Sequence, residues 1–322
     1  MYKINSFEFY RYEDIIKKED DAGYDKTAFE KMLEIKGDSD HTKLIDMLTD
    51  LNDYSIGIED VLKEHFDEEN IVYWMAFQIL MGNVDTQNRN VYLYSPLNSD
   101  IWYFIAWDND GCLMRPEYEL RNFSDQNSWE KGISNYWGNI LFQRCLKSRS
   151  FREKLNDAIL DLREYLNKDM LTSKIESYKN VLKPYLYLMP DAEYEPLTSE
   201  QYDQIAASLP DEIEKNYQLY LESLETPMPF YIGVPTIDGD KLKFNWDVSY
   251  DLDAEDITYS VEVAGDYLFR DVIYQNTTLT VPEAEMDLPK AGQYFVRVRA
   301  TNTSGKTQDA FDYYVTDEGK YY

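Results

Sequence analysis

Acidic and amide side chains cluster in residues 82–111, GNVDTQNRNVYLYSPLNSDIWYFIAWDNDG. Asp85 is followed five residues later by Asn90, and Asp108 comes 23 residues after Asp85. Phosphoryl transfer needs a carboxylate that orients the attacking hydroxyl and takes its proton, together with oxygen ligands for metal ions. Mg²⁺ prefers few protein ligands, and prefers oxygen. The spacing therefore suits Asp85 as a carboxylate base, with the amide oxygen of Asn90 and the second carboxylate, Asp108, as metal ligands.

Three local elements must position these side chains. Residues 70–81, NIVYWMAFQILM, are apolar nearly all round, which predicts a helix buried in a core. Residues 91–94 and 101–107 are β-branched and aromatic, and a turn-rich connection separates them. The sequence thus predicts a buried helix that leads into a β-hairpin, with one polar cluster at each end of the hairpin sequence.

Each polar cluster also has a plainer interpretation. Residues 108–111, DNDG, have the composition of a tight turn, and residues 85–90, DTQNRN, could form an Asn-rich loop after a helix. An EF-hand calcium loop is excluded, because Gly111 stands at the fourth position from Asp108 and not at the sixth. The two clusters flank one hairpin behind a buried helix, and this arrangement favours chemistry over two idle turns.

The residue pattern of the two clusters resembles that of a known group of enzymes. In protein kinases the catalytic Asp and a metal-binding Asn lie five residues apart, and a second metal-binding Asp follows in the D-F-G motif. Here residues 83–85, NVD, stand in place of H-R-D, and residues 107–109, WDN, stand near the place of D-F-G. This variation resembles the spore-coat-protein-H (CotH) kinase family over about residues 5–190, most clearly over residues 73–111.

The resemblance implies an activity and a set of roles. It implies transfer of phosphate from ATP to Ser or Thr of surface or coat proteins, with Mg²⁺ or Mn²⁺ as cofactor. Asp85 matches the catalytic aspartate, and Asn90 and Asp108 match the metal-binding and nucleotide-binding pair. Asp110 is a further metal ligand with less support. Arg115 and Arg121 follow Asp108 and are candidate partners for a phosphate or for the acidic loop.

The residues before Asp85 depart from the kinase pattern. A kinase-like fold needs an N-terminal lobe with a phosphate-covering loop and a lysine on a strand. The 84 residues before Asp85 are interpreted as mostly helical, without a glycine-rich loop, and Lys36 is not expected on such a strand. We expect a C-terminal lobe whose ATP-binding lobe is truncated, and a fragment that is inactive alone. The alternative is a catalytically silent scaffold or adhesion module of the cell surface.

The chain after residue 225 has a period of two. Apolar residues alternate in residues 242–248, 257–263 and 294–302, which predicts an all-β sandwich at residues 226–322 behind a proline-containing linker. Tyr294 and Trp246 resemble the tyrosine corner and the buried tryptophan of a fibronectin type III domain. The predicted fold class is multi-domain α+β, with a mostly helical kinase-like lobe at residues 1–225 before this sandwich.

Composition and charge limit the partners. The chain has 322 residues and a formal net charge of −29, which disfavours nucleic acids and anionic membranes. No stretch is apolar enough to predict a membrane span, and the N-terminus lacks a secretion signal. Cys112 and Cys145 form no zinc or disulfide pattern, and His41 and His65 are predicted at the surface or at helix caps. By family analogy we expect a bacterial surface or secreted protein.

Overall fold

The computed structural model describes residues 1–120 and 127–315. The chain forms two compact units, and each is described by itself. The first unit comprises Met1–Asn122 and Asn139–Gln218, and the second comprises Phe123–Gly138 and Leu219–Tyr322. In the described part of the chain, no helix is long and apolar enough to cross a membrane.

Helices dominate the first unit. They are α1 (Lys26–Met32), α2 (Thr42–Asn52), α3 (Ile58–His65), α4 (Glu68–Leu80), α5 (Arg115–Leu120), α6 (Ile140–Lys147), α7 (Arg149–Tyr165), α8 (Lys168–Leu186), α9 (Ser199–Ser208) and α10 (Glu212–Leu224), the last of which continues into the second unit. The prediction of a buried helix at residues 70–81 is confirmed by α4. Asp67 caps this helix by accepting a hydrogen bond from the backbone of Asn70 at 2.9 Å.

A four-stranded antiparallel sheet completes the first unit. Its strands are β1 (Tyr2–Ile4), β2 (Leu33–Ile35), β3 (Val91–Tyr94) and β4 (Tyr103–Ala106), in the order β2-β1-β3-β4. The predicted hairpin is therefore present as β3 and β4. The expectation that the residues before Asp85 are helical is wrong at β1 and β2, which pair with each other and extend the hairpin. Strands of three residues are too short to show a period in the sequence.

His41 stands at the N-cap of α2, as predicted, but its side chain makes no capping hydrogen bond there and is buried. The Nδ1 atom of His41 lies 2.7 Å from the hydroxyl of Tyr2, and its ring stacks on Phe29 with centroids 4.3 Å apart. Burial lowers the pKa of His41. His65 is also largely buried, with Nε2 2.8 Å from a carboxylate oxygen of Asp50. Both histidines thus belong to the packing of the first unit.

The second unit contains two antiparallel sheets that share one core. One sheet has the order β5-β6-β9, from β5 (Thr236–Asp238), β6 (Lys241–Asn245) and β9 (Glu283–Asp287). The other has the order β11-β10-β7-β8, from β7 (Ile257–Ala264), β8 (Val272–Leu279), β10 (Phe295–Asn302) and β11 (Thr307–Asp309). Phe244, Val261 and Val298 are buried together between the sheets, so this unit is a β-sandwich.

The proline-containing segment before β5 is more than a linker. It leads into an edge strand, as predicted, since β5 lies at the end of its sheet. However, Met228 and Phe230 are buried, and Met228 N donates to Tyr250 O at 2.7 Å. Apolar residues between prolines supply core contacts here, and the interpretation as a free linker is wrong for these residues.

Candidate functional site

The two polar clusters meet at one end of the hairpin. Val91 pairs with Ala106 in the β3–β4 register, so the residues before β3 and after β4 emerge side by side. Gly111 brings the two turns into contact. A Cβ atom built on Gly111 would lie 2.7 Å from Asn83 Oδ1 and 3.5 Å from Asp85 Cβ. Residues that are far apart in sequence thus form one surface.

Asp85 lies in a short 3₁₀ turn, Val84–Thr86, that follows the end of α4. Its Oδ2 accepts a hydrogen bond from Asn90 Nδ2 at 2.7 Å, and its Oδ1 pairs with Arg89 Nε at 2.6 Å. The Arg89 pair is half exposed, and exposed ion pairs contribute little free energy. The Asn90 contact fixes the orientation of the carboxylate, whereas Arg89 can leave at little cost.

The predicted metal ligands offer oxygen atoms at this surface. Asn90 uses its amide nitrogen toward Asp85, so its Oδ1 is directed away from that carboxylate. Asp108 and Asp110 are exposed in the turn after β4. Asn90 and Asp108 have positive φ angles of 58° and 55°, a conformation that Asn and Asp tolerate better than most residues.

This donor set suits Mg²⁺ that is shared with phosphate oxygens. Among the described residues, no group of three or more His, Cys, Asp or Glu side chains is arranged to hold a metal ion. Mg²⁺ commonly binds through one or two carboxylates plus substrate phosphates, and needs no cage made by the protein alone. One amide oxygen and one or two carboxylates at the hairpin end therefore fit the metal.

A largely buried cluster of amide side chains joins the two turns by hydrogen bonds. Asn83 Nδ2 donates to Gln78 Oε1 at 3.0 Å, and Gln78 Nε2 donates to Asn109 Oδ1 at 3.2 Å. Asn83 Oδ1 also accepts from the backbone of Asp85 at 3.3 Å. The sequence interpretation missed this cluster. The available signal was Gln78, a polar residue in the last turn of an otherwise apolar helix.

The loop between Asp85 and Asn90 is anchored at two further points. Asn88 Nδ2 donates to Glu8 Oε1 at 2.7 Å, and the Asn88 carbonyl accepts from Phe7 N at 2.9 Å. Asn139 Nδ2 donates to the carbonyl of Gln87 at 2.9 Å. These bonds hold the loop in place before any ligand binds, which is what positioning catalysis requires.

Comparison with known protein families agrees with this geometry. The family model described as CotH kinase protein matches residues 1–220. The chain belongs to the CotH kinase protein family. The match includes α4, the hairpin and both polar turns. A search of curated proteins gives no match. The protein is therefore kinase-like, and its family uses ATP and Mg²⁺ in general.

Arg115 has a different role in this CotH kinase domain from the predicted one. Its Nη1 donates to Glu212 Oε2 at 2.8 Å, and its Nη2 donates to Asn216 Oδ1 at 2.7 Å. Asn216 Nδ2 in turn donates to the carbonyl of Leu80 at 2.9 Å. Arg115 is thus engaged by a buried carboxylate on α10 and is not a phosphate partner in this arrangement. Arg121, the other predicted partner, lies outside the described residues.

A partly exposed aromatic pair flanks the acidic turn of the CotH kinase domain. Tyr92 and Trp107 meet edge to face with ring centroids 5.0 Å apart, and Trp107 is 45% exposed. Tyr92 is paired with Ile105, so Trp107 is its diagonal neighbour on the same face of the sheet. The sequence interpretation missed this pair, although the register of the hairpin would have revealed it.

Lys36 directly follows β2 and is not part of a strand, as expected. Its Nζ lies 2.5 Å from Glu34 Oε1, and this hydrogen bond raises the pKa of Lys36. Cys112 lies behind the acidic turn, where burial raises the pKa of its thiol to about 11. Neither side chain supplies a free cation or a thiolate nucleophile to the hairpin end.

Gly111→Ala tests the contact between the two turns. The new methyl group would overlap Asn83 Oδ1, and overpacking of this kind costs about 1–3 kcal/mol. We expect a lower free energy of unfolding of the first unit and weaker nucleotide binding. Gly57→Ala is the matched control, because its Cβ would meet its nearest neighbour at 3.6 Å. Equal behaviour of the two variants in urea unfolding would contradict the close contact.

Proposed function

We propose that the protein transfers the γ-phosphoryl group of ATP to Ser or Thr hydroxyls of surface or coat proteins, with Mg²⁺ or Mn²⁺ as cofactor. The observation that carries this proposal is the contact of Gly111 with Asn83 and Asp85, which joins the two polar turns. Membership of the CotH kinase protein family supports the reaction class. The net charge of −29 is consistent with a need for metal ions at a nucleotide site.

Each polar residue has a distinct role in the proposed reaction. Asp85, oriented by Asn90, accepts the proton of the attacking hydroxyl as its oxygen bonds to the γ-phosphorus, and the bond from that phosphorus to the bridging oxygen breaks so that ADP leaves. Asn90 Oδ1 and the carboxylate of Asp108 hold the metal, with Asp110 as the helper ligand. Bound there, Mg²⁺ would neutralise charge on the phosphate oxygens. Positioning and charge stabilisation account for most of the catalysis in such enzymes.

The aromatic pair gives the nucleotide a second point of contact. Trp107 directly precedes Asp108, and its exposed face lies beside Tyr92. Aromatic faces stack on nucleobases with useful affinity. We propose that the adenine of ATP packs on this face while the phosphates extend toward Asp108.

The residues named above do not include a group that would cover the phosphates of ATP. Protein kinases use a glycine-rich loop and a lysine for this purpose. Lys36, the lysine next to the sheet, is paired with Glu34. We propose that this chain alone therefore binds ATP weakly and is weakly active or inactive.

We propose that residues 226–322 are a fibronectin type III-like domain that follows a kinase-like domain at residues 1–225. Trp246 is buried between the two sheets, and the Tyr294 hydroxyl donates to the carbonyl of Lys290 at 2.8 Å. A tyrosine near the start of a strand that bonds to backbone upstream is typical of such sandwiches. A spacer or docking module of this kind fits a bacterial surface or secreted protein.

The alternative function is a catalytically silent surface scaffold. Its support is that both carboxylate oxygens of Asp85 are engaged, one by Arg89 and one by Asn90. A silent protein would keep these contacts as structure. The half-exposed Arg89 pair is weak enough to open for a substrate, so the geometry supports the enzyme better.

Asp108→Asn tests the proposed metal role. Asn tolerates the left-handed backbone at this position, so the variant removes charge without adding strain. Removing a residue that hydrogen-bonds to a metal ligand typically lowers the affinity for the metal about 10- to 100-fold. Asp108→Asn changes a proposed ligand itself, so we expect it to weaken Mg²⁺-dependent ATP binding at least as much. Calorimetry on the longest native gene product measures this, with γ-phosphate transfer to Ser/Thr peptides as the second readout.

Asp100→Asn is the matched control for this experiment. Asp100 is an exposed aspartate at the opposite end of the same hairpin. We expect it to leave ATP binding and transfer unchanged. Absence of metal-dependent ATP binding and of transfer in the unmodified protein would reject the enzyme and favour the silent scaffold.

A further inference from the structure

The second unit carries a groove that the proposed reaction does not use. It has a volume of about 490 Å³, within the range of ligand-binding clefts. Its aromatic lining comes from residue 129, from the loop after β7, from the start of β10 and from the segment after β11. These aromatic residues are Trp129, Tyr267, Phe269, Tyr294, Phe295, Tyr313 and Tyr314.

The floor of the groove is the outer face of β10. Val298 and Ala300 face the core of the sandwich. Because side chains alternate along a strand, Phe295, Arg297 and Arg299 face the opposite side, where they line the groove. The outer face of β10 therefore presents one aromatic ring and two guanidinium groups in a row along the groove.

Aromatic side chains form the walls. Tyr314 stacks on Tyr267 with centroids 5.5 Å apart and meets Phe295 edge to face at 4.9 Å. Trp129 meets Tyr313 at 6.5 Å, and the segment before Trp129 is tied to β11 by the Gln308 Nε2–Ser128 Oγ hydrogen bond of 2.8 Å. These contacts hold the aromatic rings in place without a ligand.

The charges on the floor are neutralised in pairs. Arg297 Nε donates to Glu262 Oε2 at 2.9 Å, and Arg299 Nε donates to Asp309 Oδ1 at 2.8 Å. Both pairs join residues that are directly opposite in the sheet register. The guanidinium of Arg297 also lies 4.1 Å from the centroid of the Phe269 ring. The groove thus offers fixed donors and acceptors, with its arginines already balanced by carboxylates.

We propose that this groove binds a neutral glycan. The C–H face of a sugar ring packs on aromatic faces, whose π-systems carry negative charge. Sugar hydroxyls both donate and accept hydrogen bonds, so they can pair with guanidinium and carboxylate groups at once. An anionic polymer would meet paired arginines and a chain of net charge −29, and is therefore disfavoured.

Native electrophoresis of the full chain tests the proposal, in gels that contain hydroxyethyl cellulose, galactomannan or glycol chitin. We expect retardation by at least one of these neutral polymers and none by anionic polygalacturonate. Tyr313 is 51% exposed, so Tyr313→Ala removes a stacking surface with little effect on folding. We expect this variant to bind about three- to tenfold more weakly, the usual worth of one aromatic contact.

Tyr250→Ala is the matched control, because Tyr250 is 40% exposed in the same unit and lies outside the groove. It should be retarded like the unmodified chain. Unchanged mobility in all three neutral polymers overturns the proposal, as does equal retardation of the two variants. A shift of tryptophan fluorescence with a polyproline peptide, without glycan binding, also overturns it and assigns the groove to a peptide. These binding results do not depend on the proposed phosphoryl transfer, which the Asp85 variant tests separately.

Discussion

Asp85→Asn is expected to lower the rate of phosphoryl transfer by about 10²- to 10⁴-fold, the usual contribution of a general base. The amide keeps the shape of the side chain and can still hydrogen-bond to Asn90, so the loop should keep its conformation. It cannot take the proton of the attacking hydroxyl. Because Asp108 and the oxygen of Asn90 remain, the binding of ATP with Mg²⁺ should change much less than kcat.

This split between kcat and binding is what separates a base from a metal ligand. The measurement is single-turnover transfer of labelled γ-phosphate by the longest native gene product, with ATP affinity measured in parallel. Asp46→Asn is the control, since Asp46 is exposed on α2 and is not part of either polar turn. If Asp85→Asn transfers phosphate at the unmodified rate, Asp85 is not the base. If it loses ATP binding as severely as Asp108→Asn, its main role is in holding the metal.

Local sequence signals were sufficient for the elements that carry the site. Helix α4 is apolar nearly all round, and β3 and β4 are β-branched and aromatic between turn residues. An antiparallel hairpin brings the residues before its first strand and after its second strand together, so the contact between the turn of Asp85 and the turn of Gly111 was implicit in the topology. The assignment of roles to these residues stays a prediction.

What the sequence did not reveal depends on contacts between distant segments. Strand β2 continues directly from α1, and Phe29, Met32 and Leu33 keep a helical spacing across the junction. Pairing of Ile35 with Tyr2 makes it a strand, and no local pattern encodes that pairing. His41 is similar, because its burial depends on the Tyr2 hydroxyl and on the ring of Phe29.

Arg115→Met is expected to destabilise the first unit by about 3 kcal/mol, at the lower end of the range for breaking a buried ion pair. The Glu212 side chain is 1% exposed and the Arg115 side chain 18%, so the variant leaves a buried carboxylate that still pairs with Lys215 at 2.6 Å. Arg149→Met is the matched control. Its pair with Glu153 is largely exposed, and such pairs contribute about 0–1 kcal/mol.

The double variant Arg115→Met/Glu212→Met distinguishes a charge penalty from lost packing. Replacing both members of a buried pair by apolar residues is often nearly neutral, so the double variant should recover much of the stability that Arg115→Met loses. Asn216 joins Arg115 to the carbonyl of Leu80, at the end of α4, just before the loop of Asp85. Urea unfolding and amide exchange at Leu80–Asp85 should therefore change together. A stable Arg115→Met protein with unchanged exchange would show that α10 does not position the loop that carries Asp85.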